Sequence, residues 1–264
     1  AAEQPRPAPQ EAARAARTAA EVAPLARVLF AAAAITGATS FVYEIGWVRL
    51  LNQSLGTTVH SFELMLAAFI AGLAFGGNWI RKRGRDIANP LIYAGGAQIA
   101  MGVAALLSIP VFAHSFDGVA WMMRALSRTD EGYALFSLGG AVVSVLVMFP
   151  AAFFAGMTLP LFTISLLRKG AGESAIGRIY AFNTLGAIIG VFLMIQVLIP
   201  LLGIRLAVIL SALVDIALGM YLLRGWSGAG WRRPALLASC VVALVLTAFL
   251  GRIDPAQQIS GVFR

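Results

Sequence analysis

A single carboxyl, Asp215, stands near the middle of the apolar run Ile204–Leu223. An ionisable group at the centre of a membrane helix costs roughly 2.5–3.5 kcal/mol on insertion scales, so it has to be either compensated or used. Two chemistries fit it: a proton relay or counter-charge for a cationic substrate, or a carboxyl that hydrogen-bonds neighbouring helices with help from Asn183 or Gln196. Glu44, in FVYEIGW, and Glu63, at the start of the next apolar run, are predicted at similar depth near one end of the chain's long helices. Such a pair can share a proton or face a cavity; Arg49 or Arg205 could instead neutralise Glu44. His60 and Glu63 are spaced by three, as are His114 and Asp117. On a helix that spacing puts two side chains on one face, and two such pairs could supply four nitrogen and oxygen ligands to a divalent metal. Ordinary interfacial residues are the plainer reading of both pairs, and no metal is expected.

The elements that must position these residues are membrane helices. The chain is 59% hydrophobic and 12% charged, with a mean hydropathy of +0.84, whereas soluble domains carry about 25% charged residues. The net charge of +8 and pI near 10.5 do not point to nucleic acid, because the cations fall between apolar runs and not on a basic face with stacking aromatics. The lipid bilayer is the expected partner. Cys240 is the only cysteine, which excludes an intrachain disulfide and a thiolate metal cluster.

SFELMLAAFIAGLAFGGNWI, from Ser61, carries one charge over about the length that crosses a hydrocarbon core of roughly 30 Å. It ends in Arg81, Lys82, Arg83 and Arg85, a basic knot of the kind retained on the cytoplasmic side. Six more spans follow from hydropathy: 25–50, 89–113, 133–167, 179–201, 204–223 and 234–250, with an interfacial connector at 114–132 that contains DGVAWMMRAL. The run at 133–167 is long for one crossing. Splitting it would move Arg168, Lys169 and Arg178 to the far side, so it is read as one helix kinked near Pro150 or Pro160. Fourteen of the twenty cations then lie with the Arg81 knot.

The resulting architecture is an all-α polytopic membrane bundle of about seven transmembrane helices, with the N-terminus cytoplasmic and the C-terminus periplasmic. Residues 1–23, rich in Ala, Pro and Gln, are read as a flexible tail, with a short helix on anionic lipid as the alternative. The transmembrane domain spans 24–251, and 252–264 forms a C-terminal tail. AAFIAG at 67–72 recurs as AAFFAG at 151–156, a hint of duplication. Gly72, Gly76 and Gly77, and then Gly186 and Gly190, have the small-xxx-small spacing that lets helices approach closely.

GATSFVYEIGWVRLL, LAAFIAGLAFGG, AGMTLPLF, GRIYAFNTLGAIIGVFLMIQVLIPLLGIR and DPAQQISGVFR together resemble the membrane half of fused spermidine-synthase-like membrane proteins, whose transmembrane part is major-facilitator-like. The resemblance covers roughly residues 25–264. It implies a soluble aminopropyltransferase-like domain after the last span, hence polyamine chemistry outside residues 1–264. Within those residues there is no Gly-rich nucleotide loop followed by an acid and no aspartate pair suited to an amine nucleophile. No cofactor and no catalysis are therefore expected of this chain itself. The expected role is a bacterial inner-membrane module that anchors or serves a soluble synthase-like partner. A transporter or channelling unit for a small cation or amine is the second reading, and a structural subunit of a larger membrane complex the third.

Overall fold

The computed structural model describes residues 9–125, 129–224 and 232–251. Among the described residues every regular element is helical: α1 (Pro9–Leu55), α2 (Val59–Arg83), α3 (Pro90–Ala125), α4 (Asp130–Leu167), α5 (Ser174–Leu193), a π-helical segment (Met194–Leu198), α6 (Ile199–Leu223) and α7 (Arg232–Leu250). Five stretches are long and apolar enough to cross a membrane, the last being the continuous 50 residues Ser174–Leu223. That last stretch is the most apolar of the five, yet only 11% of its apolar window is buried inside the protein. A surface that is oilier than the interior needs an oily solvent, which is the mark of a multi-pass membrane protein.

The 50-residue stretch is not one rod. Gly203 has φ 76° and ψ 167°, a backbone region essentially confined to glycine, and the chain reverses there. Along α5, Gly186 meets Ala34 and Gly190 meets Ala38, so α5 runs parallel to α1. Along α6 the order inverts, with Val208 beside Gly46 and Asp215 bonded to Thr39. The sequence boundary between spans at 201–204 falls on this reversal.

The remaining directions follow in the same way. α3 lies parallel to α1, through the Thr36–Gln98 and Trp47–Ser108 bonds, and antiparallel to α6, through Gly95–Gly219 and Gly102–Ala212. α4 starts near the end of α3, where Gly139 touches Met122, and ends beside Gly84 through Ile164, so it is parallel to α2. α7 follows α3, with Thr247 bonded to Leu106 and Gly251 against Ile109. Hence α1, α3, α5 and α7 point one way and α2, α4 and α6 the other.

Residues 133–167 form one helix that carries both Pro150 and Pro160, as charge placement required. Two boundaries read from the sequence are corrected. The third span does not stop at residue 113: α3 continues to Ala125, absorbing most of the supposed connector, because Phe112, Ser115, Phe116 and Val119 repeat at helical spacing and are buried in the bundle. The opening segment is helical from Pro9 onward and continuous with the first span, which is neither the flexible tail nor the separate short surface helix that the sequence suggested. EAARAARTAAE has high helix propensity, and continuity with the first span removes the cost of a separate nucleus. The readings of residues 1–8 and of the tail 252–264 lie outside the described residues.

α2 and α4 pack closely. A Cβ on Gly76 would collide with the Phe153 carbonyl, and one on Gly156 with the Leu73 carbonyl, so the helices meet backbone to backbone, while Gly72 against Ala152 brings the two related hexapeptides together. Replacing either glycine by alanine should cost about 1–3 kcal/mol of stability through overpacking. Gly96→Ala, where a Cβ would meet nothing within 4 Å, should be neutral or slightly stabilising. Thermal unfolding in detergent would distinguish them, and equal melting of G76A and G96A would contradict the seam.

Candidate functional site

Three helices converge on Asp215, which is fully buried at 0% exposure. α6 supplies the carboxyl, while α1 and α3 supply the donors. Thr39 Oγ1 donates to Oδ1 at 2.9 Å, Gln98 Nε2 to Oδ1 at 2.6 Å and Tyr43 Oη to Oδ2 at 2.5 Å. The Tyr43 distance is in the range of a hydroxyl bonding a carboxylate. No ion pair to Asp215 occurs among the described residues, so hydrogen bonds alone compensate the group for leaving water.

The junction continues on both sides. Gln98 Oε1 accepts from Thr36 Oγ1 at 3.3 Å, which orients its amide nitrogen toward Asp215. Tyr43 stacks on Trp47, with centroids 5.3 Å apart, and Trp47 Nε1 donates to Ser108 Oγ at 2.8 Å. Trp47 also meets Phe69 of α2 edge-on at 6.4 Å. Residues 36, 39, 43 and 47 lie three or four apart, so one stripe of α1 carries the polar chain from Thr36 to Trp47.

A second junction holds α7. Pro110 has no amide proton, which leaves the Leu106 carbonyl without its helical donor, and Thr247 Oγ1 donates to that carbonyl at 2.8 Å. The Thr247 carbonyl in turn accepts from Arg205 Nη2 at 3.0 Å. At the other end of the bundle Arg168 donates to the carbonyls of Ile87 (2.5 Å), Gly84 (2.8 Å) and Arg85 (3.1 Å), clasping the turn between α2 and α3.

The other residues singled out from the sequence are dispersed. Asn183 and Gln196 do not assist Asp215: Asn183 Nδ2 donates to the Ala33 carbonyl at 3.2 Å, and Gln196 is exposed on the π-helical segment. Both lie on the limb that packs against the opposite side of α1 from Thr39 and Tyr43. Glu44 is half-buried and, among the described residues, has no hydrogen-bond or ion-pair partner, so it is paired with neither Arg49 nor Arg205. Glu63 is exposed and sits 3.7 Å from His60 Nδ1, making no bond to Glu44. His114 Nδ1 lies 2.8 Å from the Pro110 carbonyl, and Asp117 is exposed. Among the described residues no three metal-ligating side chains gather, so His60, Glu63, His114 and Asp117 do not assemble the four-ligand set their spacing allowed. A cavity of about 450 Å³ lies between α3, α4 and α7, bounded by Pro110, His114, Ser115, Val143, Leu146 and Leu250. It includes neither Asp215 nor Glu44.

Asp215 was evident in the sequence; Thr39, Tyr43 and Gln98 as its partners were not. The signal was present in the polar spacing 36–39–43 and in Gln98, an amide among apolar residues of α3, but only packing shows which helices meet. Comparison with protein-family models, with curated proteins and with solved structures returns no match.

Asp215→Leu removes the only acceptor, among the described residues, of Tyr43 Oη and Gln98 Nε2, while Thr39 keeps the Ile35 and Thr36 carbonyls at 3.2 Å. At about 1–3 kcal/mol for each orphaned donor, the loss should be about 2–6 kcal/mol. Tyr43→Phe removes one bond of the junction and should cost about 0.5–1.5 kcal/mol. Chemical unfolding in mixed micelles measures both; a fully stable D215L would show that the junction holds nothing.

Proposed function

We propose that this chain is a seven-span module of the bacterial inner membrane, with its amino end and the Arg81 knot in the cytosol, and that it anchors or serves a soluble synthase-like partner. The single observation that carries the scaffold reading is the state of Asp215. The one carboxyl at mid-span is fully buried and engaged by three donors from two other helices, as a carboxyl that joins helices would be. The cavity between α3, α4 and α7 does not reach it.

Sidedness rests on charge together with chain direction. Arg168 clasps the Gly84–Ile87 turn, so the cations at the end of α4 lie beside the Arg81 knot. α7 ends against Ile109, about 28 Å along α3 from Pro90 at 1.5 Å per residue. The nature of the partner rests on the likeness of YEIGWVRLL and GRIYAFNTLGA to the membrane half of spermidine-synthase-like fusions.

Glu44 favours a second reading, passage of a small cation or amine, because a half-buried carboxyl without a partner among the described residues is where a cation would be held. One preparation discriminates the two. Protein isolated from native membranes should carry a synthase-like domain, fused or associated, and liposomes containing it should take up no more radiolabelled spermidine than empty ones. Uptake abolished by Glu44→Gln, with no synthase-like polypeptide present, would replace the scaffold by the transporter.

Topology has its own test in a Cys240→Ala background. Thr57→Cys, in the turn between α1 and α2, should react with an impermeant maleimide in intact cells, and Glu173→Cys, between α4 and α5, only after the inner membrane is opened. The reverse pattern would invert the orientation.

A further inference from the structure

Along the outer edge of the α2–α4 seam the aromatic rings form a ladder. Phe75 meets Phe149 with centroids 6.0 Å apart, Phe149 stacks on Phe153 at 6.1 Å, and Trp79 meets Phe153 edge-on at 6.2 Å. The Arg83 guanidinium lies over Trp79, with Cζ 4.1 Å from the ring centroid. Phe75 is 60% and Trp79 39% exposed, so the ladder faces the surroundings and not the core. From Phe75 to Arg83 it rises about 12 Å along α2, from apolar depth to the basic knot.

The cations at its head are not used up by the helix end. Basic residues in a last turn ordinarily answer the unsatisfied carbonyls there, but here the Ile80 and Arg83 carbonyls accept from the Gly84 and Asp86 amides, and Arg168 takes the Gly84, Arg85 and Ile87 carbonyls of the turn that follows. Arg81 bonds Asn78. Lys82, Arg83 and Arg85 are exposed and, among the described residues, in no ion pair, although Asp86 is adjacent in sequence. A guanidinium stacked flat on indole keeps its edge N–H donors pointing outward, in the fork that suits a phosphate.

We infer that this edge is a binding site for one anionic phospholipid of the surrounding leaflet, its phosphate held by Arg83 with Lys82 and Arg85, and one acyl chain lying along Trp79, Phe153, Phe149 and Phe75. Charge complementarity selects an anionic headgroup, and the run of exposed rings selects a tail over a free phosphate. The glycines explain why the ladder exists here: because Gly76 and Gly156 bring the two backbones into contact, large side chains are driven to the flanks of the seam. The site depends on the lipid setting and not on the synthase-like partner, so either can fail alone.

Native mass spectrometry of the purified full chain, delipidated and then exposed to equal amounts of phosphatidylglycerol and phosphatidylcholine, tests the site. The expected result is preferential retention of phosphatidylglycerol, reduced about fivefold by Arg83→Gln and about as much by Trp79→Leu. Arg224→Gln should leave retention within about twofold. Arg224 is the control because it removes the same charge at the same end and also stacks on a ring, Tyr221 at 4.0 Å, but heads no ladder. Equal retention of the two lipids, equal loss in R83Q and R224Q, or an unchanged W79L would overturn the site. Equal stabilisation by inorganic phosphate alone would overturn the lipid as its occupant.

Discussion

Burial of Asp215 is the constraint on which the bundle depends. Lipid tails are as apolar as the helix surfaces they cover, so water expulsion does not press membrane helices together. Association needs something that lipid cannot provide, and a carboxyl at mid-span is such a thing, because outside the bundle it has no donors at all. Thr39, Tyr43 and Gln98 provide them from α1 and α3. The same three bonds that compensate the carboxyl specify which helices are neighbours and at what height, since the register of α6 against α1 and α3 is the register at which the donors reach.

Three further devices extend the same logic. Where α2 and α4 meet, absent side chains replace polar bonds, and the approach of Gly76 and Gly156 to opposing carbonyls gives dense packing. Where α7 docks, a missing proton at Pro110 leaves a carbonyl that Thr247 answers, so a residue often treated as a defect becomes an attachment point. At the end bearing the basic knot, Arg168 collects four carbonyls of one turn and closes α4 against the start of α3. Each device satisfies backbone or side-chain polarity that a hydrocarbon solvent would leave stranded.

How far this was legible in the sequence depends on range. Apolar runs marked the helices, and the reversal between residues 201 and 204 falls at Gly203, because both are local properties of a chain in lipid. The third span outran its reading since hydropathy falls after Ala113 while helical periodicity does not, and Phe116 and Val119 stay buried. Asp215 stood out by its cost. Its partners did not, since a threonine and a tyrosine on α1 are unremarkable until α6 is laid beside them. Asn183 and Gln196 have the right chemistry but lie on the limb that meets the other side of α1. Spacing within one helix likewise paired His60 with Glu63 and His114 with Asp117 without bringing the pairs together.

The proposed anchoring role rests on a central carboxyl committed to the protein's own architecture, and the competing transport reading rests on Glu44, which has no partner among the described residues. The most direct measurement is a double-mutant cycle of Gln98→Leu and Asp215→Leu, read by reversible unfolding in mixed micelles. If Asp215 joins α6 to α3, the two losses overlap and the cycle yields a coupling of about 1–3 kcal/mol; strict additivity, within about 0.5 kcal/mol, would mean that the carboxyl does not hold these helices together.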